Sequence, residues 1–112
     1  ALAQYYRICL SRGKEIIPLK LELEHVKAYM TIQQMRYGDI IEMELHIPEG
    51  LDTLKIPKMT LQPLVENSIY HGIRVKEGKK GKVEITAMKD GEDALIIVSD
   101  SGPAWKAVRL RR

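Results

Sequence analysis

The chain is poor in features that would place it outside the ordinary soluble proteins. Its single cysteine, Cys9, permits no internal disulfide, which fits a reducing compartment. No apolar run is long enough to cross a bilayer and no signal peptide is recognisable, so no direct membrane contact is expected. The formal net charge is only +3, too small by itself to argue for a nucleic-acid partner. Basic residues cluster in Lys76 to Lys82 and in Arg109-Leu-Arg-Arg112, but neither run is interleaved with aromatics as a single-strand-binding surface would be. They read as a solvated loop and a frayed end, and no nucleic-acid binding is expected. Internal repeats and low-complexity segments are missing too.

What is present is one domain's worth of residues. A length of 112, with 45% hydrophobic and 29% charged residues, is that of a globular unit able to bury a core. Residues 1–12 read as the end of a helix closed by Gly13, with Leu2, Tyr5 or Tyr6, Cys9 and Leu10 as its stripe. Pro18 opens a long helix to about Tyr37, with Leu19, Leu23, Val26, Met30, Ile32 and Met35 on its apolar face and Glu22, Lys27, Gln34 and Arg36 opposite. Gly38 is the expected stop. His25 reads as a surface or boundary residue. Ile40 to Ile47 alternates as a half-buried strand, with Glu42, Glu44 and His46 on the wet side. Residues 51–57 read as irregular or briefly extended. Val83, Ile85 and Ala87 mark another strand, Asp90-Gly91 a hairpin, and Ala94 to Val98 an interior return strand. Asp100 falls just past its end. The class is α+β: a two-layer α/β sandwich, a mixed sheet with helices on one face.

Between the strands lies Leu61-Gln-Pro-Leu-Val-Glu-Asn-Ser-Ile-Tyr-His-Gly72. Leu61, Leu64, Val65, Ser68, Ile69 and Gly72 recur at three- and four-residue steps and share one face, as on a short helix. Pro63 fits only a first turn, and Gly72 supplies a stop. Asn67 and His71 are neighbours on a second face, with Glu66 and Tyr70 beside them. An Asn held there either satisfies a nearby backbone group or offers oxygen to Mg²⁺; one helix leaves both open.

This stretch resembles the N box of the Bergerat-fold (GHKL) ATP-binding domain of sensor histidine kinases, and most of all the LytS/YehU-type pattern L-Q-P-L-V-E-N-A-I-x-H-G. Val98-Ser-Asp-Ser-Gly102 resembles the first glycine box, D-x-G. The upstream pattern is similar as well: Pro18-Leu19, Glu22-Leu23-Glu24, Val26, Tyr29, Ile32-Gln33, Arg36 and Gly38-Asp39. Together the blocks span about residues 1 to 104.

The resemblance implies a fragment of a two-component kinase that uses ATP and Mg²⁺, phosphorylates a histidine and passes the group to a response regulator. It implies Asn67 as the Mg²⁺ ligand, Asp100 as reader of the adenine amino group, Gly102 for close backbone approach, and Tyr70 and His71 beside phosphate or ribose. Many histidine kinases carry Lys where Tyr70 stands. ATP-hydrolysing relatives place a Glu four residues before the Asn; here that position is Pro63, which suits transfer to histidine rather than water. By the same resemblance residues 1–17 are the end of a dimerisation hairpin and linker, 18–104 the first part of the ATP-binding domain, and 105–112 an atypical tail.

The chain has no phenylalanine and so no H-F-L-F-N-like acceptor motif. The second glycine of D-x-G-x-G is Ala104, and no lid or later glycine box follows. An incomplete Bergerat fold is therefore expected, weak or no ATP binding, no self-phosphorylation, and a cytoplasmic location as part of a membrane sensor. Strand 94–98 is expected to leave an unpaired edge, favouring a homodimer or strand-exchanged oligomer. The alternative is a non-catalytic interaction module with a degenerate site.

Overall fold

A computed structural model of the chain describes residues 3–7, 15–38, 41–75, 81–100 and 105–111, with 3–7 and 71–75 as backbone only. Strand β1 (Ala3–Arg7) is followed by a short strand β2 (Ile16–Pro18), helix α1 (Leu19–Tyr37) and strand β3 (Ile41–His46). A 3-10 turn at Leu51–Thr53 leads to β4 (Lys55–Pro57) and helix α2 (Gln62–Val75). Strands β5 (Gly81–Asp90), β6 (Asp93–Ser99) and β7 (Trp105–Arg111) complete the order. The main sheet runs β1-β7-β6-β5-β3, with β1–β7 and β3–β5 parallel and the other two pairs antiparallel. β2 and β4 form a separate antiparallel pair.

Period-2 burial sets the sheet's two faces. Val83, Ile85 and Ala87 on β5 and Ala94, Ile96 and Val98 on β6 are buried, while the residues between them are half-buried. All of these buried residues but Ala94 form one core with Leu19, Leu23, Val26 and Met30 of α1 and Val65 and Ile69 of α2. Helices and apolar sheet face thus make the two layers expected from the residue pattern. The hairpin turns at Gly91, whose φ of +62° is costly for any residue with a Cβ, and Asp90 pairs with Asp93 across it. α1 stops at Gly38, at φ +81°, whose N–H donates to the Gln34 carbonyl at 2.8 Å.

Several expectations are corrected. Residues 3–7 form a strand rather than a helix end: Ala-Gln-Tyr-Tyr-Arg is short, and its β-prone tyrosines find a partner in β7. Gly13 lies outside the described residues. The tail at 105–111 is not frayed but is the strand next to β6. Arg109 Nη1 meets Asp90 Oδ2 at 2.8 Å and Asp93 Oδ2 at 3.1 Å. The edge of β6 is therefore paired, which removes the reason for expecting strand exchange there. α2 continues through Gly72 to Val75. On α1, Ile32 and Met35 are 59% and 82% exposed. They stand about 200° and 140° around the helix from Met30, on the outer side. Glu22, expected on that outer side, is fully buried.

Candidate functional site

α2 lies on β5 and β6, and α1 on β3, so the two helices sit side by side over the sheet. Leu61, Val65, Ser68 and Ile69 face the core as their spacing predicts. Tyr70 points outward, 55% exposed. Glu66 and Asn67, both half-buried, occupy opposite flanks, since each residue turns the helix by about 100° and the core-facing row runs between them. The Tyr29 phenol of α1 identifies the flanks. Its pKa is raised above 10.0, chiefly by burial and next by the Glu66 carboxylate. The Glu66 flank of α2 is therefore the one nearer Tyr29 of α1, and Asn67 lies on the other flank.

Asp100 follows β6 directly and is half-buried. The end of β6 pairs beside the start of β5, Ser99 opposite Glu84, and α2 runs toward that start. Asn67 thus stands on a helix that packs on β5 and β6, and Asp100 at the end of one of those strands. His71 belongs to α2, one turn beyond Asn67, with only its backbone described. Gly102 lies outside the described residues. The Asn67 carboxamide offers an oxygen, a hard ligand of the kind Mg²⁺ takes alongside waters and phosphate.

The start of α2 is fixed by a group that the motif reading overlooked. Glu22 Oε2 accepts the Leu61 N–H at 2.8 Å and Oε1 accepts the Met59 N–H at 3.1 Å. Met59 itself sits at φ +67°, a left-handed conformation uncommon for a residue with a Cβ. The signal was available: Glu22, Val26 and Met30 follow one another at four-residue steps, so a carboxylate stands in the apolar stripe.

On the sheet face away from the helices, Glu44 of β3 and Glu84 of β5 are paired in register. Such like charges repel. His46 Nε2 lies 3.0 Å from Glu44 and 3.4 Å from Glu84, and Lys82 Nζ lies 2.7 Å from Glu44. The Lys82 hydrogen bond is the main reason the Glu44 carboxyl titrates below its ordinary value and the ammonium above its own. This exposed group balances charge across two strands and is separate from the α2 site.

A family model described as histidine kinase matches residues 1–41. The chain is 39% identical to the sensor protein LytS of Oceanobacillus iheyensis over 106 residues, 94% of this chain and 18% of that protein. It is 33% identical to the sensor histidine kinase BtsS of Escherichia coli over 107 residues, 96% of this chain and 19% of that protein. The chain is similar to one segment of the LytS-type sensor histidine kinases. It spans about a fifth of the length of these relatives. The catalytic domain of the histidine kinase ThkA shares its fold, with a TM-score of 0.59 and 20% identity over 81% of this chain and 60% of that one. ThkA has also been solved in complex with the response regulator TrrA. The mixed sheet covered by α1 and α2 is thus the histidine-kinase catalytic-domain fold, and no helix among the described residues is long and apolar enough to cross a membrane.

Proposed function

We propose that this segment forms the cation- and purine-contacting part of the ATP site of a sensor histidine kinase, residues 18–104 being the first part of its ATP-binding domain. What supports the reading is the LytS-type relationship, together with Asn67 on α2 and Asp100 at the end of β6, a strand on which α2 packs. In this reading the Asn67 carboxamide oxygen holds Mg²⁺, and the Asp100 carboxylate accepts a hydrogen bond from the exocyclic amino group of adenine. Gly102 allows the backbone near the base, and Tyr70 and His71 stand beside ribose or phosphate. Bound Mg-ATP supplies the phosphoryl group that passes to a histidine and then to a response regulator. The protein's part is positioning and electrostatic stabilisation. Pro63 occupies the turn where a water-orienting carboxylate would stand, so the N-box helix provides no hydrolytic base.

Titrating Mg-ATP into the 112-residue chain, followed by amide and side-chain NMR shifts, tests this. Weak binding is expected, with shifts concentrated around Asn67 and Asp100, lost in Asn67→Ala. Saturation with no response at either residue would refute the reading. Micromolar affinity would overturn the expectation that the segment alone binds weakly. In a longer kinase carrying this segment, Asn67→Ala should abolish autophosphorylation while sparing response-regulator binding. Retained phosphorylation would favour the non-catalytic interaction module.

A further inference from the structure

Glu22 is fully buried, and both its oxygens are engaged by backbone N–H groups immediately ahead of α2. Leu61 stands at the N-cap position of that helix, its carbonyl accepting the Val65 N–H at 3.0 Å. A leucine side chain cannot cap, and the Thr60 hydroxyl turns back to the Pro57 carbonyl. The capping acceptor comes instead from another helix, 39 residues earlier. We propose that Glu22 is a positioning residue for the site: its carboxylate fixes α2 along its own axis, and through it the position of Asn67.

The physical ground is directionality. The core face of α2, with Val65 and Ile69, is held by apolar contact, which is non-directional and tolerates small sliding along the axis. Two hydrogen bonds from one rigid carboxylate do not. Asn67 lies six residues beyond Leu61, about 9 Å along the axis at 1.5 Å per residue. Any shift at the anchor is therefore carried to the carboxamide by an intact helix. The negative charge at the helix start also complements the helix dipole. α1 and α2 are locked together at this point by main-chain contacts that no substitution at residue 59 or 61, other than proline, would remove.

The inference rests on the nucleotide reading only in the part that concerns Mg²⁺, so the experiment has two arms. Glu22→Gln keeps the shape but turns one acceptor into an NH₂ group facing a backbone N–H. In the first arm the Mg²⁺ concentration giving half-maximal ATP binding is measured for wild type, Glu22→Gln, Asn67→Ala and the double variant. Each single change should raise it about tenfold, with metal-free ATP affinity little altered and the double variant no worse than either. Additive losses would show that Glu22 does not act through Asn67 and would overturn the proposal. The second arm needs no ligand. Glu22→Gln should move the α2 amide resonances and the Asn67 side-chain NH₂ signals while leaving β6 and β7 unchanged. Unmoved Asn67 signals would overturn the proposal even if the wild type bound no nucleotide, a result that by itself would sink only the ATP reading. Should the variant fail to fold, hydrogen exchange in the wild type decides: the Leu61 N–H should be protected to the level of the core strands, and exchange at turn-like rates would overturn the anchor.

Discussion

Single side chains carry most of the chemistry, and the electrostatic influence of Glu66 on Tyr29 is the most accessible to test. The phenol is held neutral by burial and by the neighbouring carboxylate. Because its folded pKa is raised, the contribution is fully present below about pH 10, the unfolded value, and is lost as pH rises through the folded one. Glu66→Gln should bring the Tyr29 titration, read by ultraviolet absorbance, part of the way back toward 10.0, the remainder coming chiefly from burial and next from Tyr37. An unchanged midpoint would mean that Glu66 does not face α1, and the assignment of the Asn67 flank would fall with it. At this scale the sequence was legible for the core row of α2, because spacing alone fixes the side of a helix. Glu22 escaped since charge was taken as a sign of solvent, when its two acceptors were matched by donors 37 and 39 residues away.

Among the elements, helix phase is open to direct test. Met30 is buried and Met35 is 82% exposed on the same helix. Met30→Ala should cost about 2–5 kcal/mol in unfolding free energy, and Met35→Ala about 0.5 kcal/mol or less, as read by denaturant melts. Equal losses would contradict the observed phase of α1. The same comparison explains which elements could be read in advance. β3 and β5 announce themselves by alternation, β6 by a continuous apolar run after a turn dipeptide, and α1 and α2 by three- and four-residue steps. β1 and β7 have no such self-sufficient pattern: Ala3–Arg7 and Trp105–Arg111 become strands by pairing, an event decided elsewhere in the chain. Removing residues 105–112 should therefore bare the β6 ladder and the buried Ala94, Ile96 and Val98 row. Association is expected, seen by sedimentation as species larger than one chain. A truncated form that stays monomeric with its β6 amides still protected would show that β7 does not guard that edge.

For the whole molecule, the mixed sheet places its two parallel pairs at the outside and its antiparallel hairpin in the middle. The middle assembles from near neighbours in sequence. At one edge, Ala3 must meet Trp105 and Arg7 must meet Arg109, roughly a hundred residues of loop to close before the first ladder bond forms. Pairings of such range lag behind local ones. β1 precedes β7 in the chain and has no berth until β7 exists, so it waits as an orphan strand while the segment between them is added, and the outer rim of β7 stands open until that strand comes home.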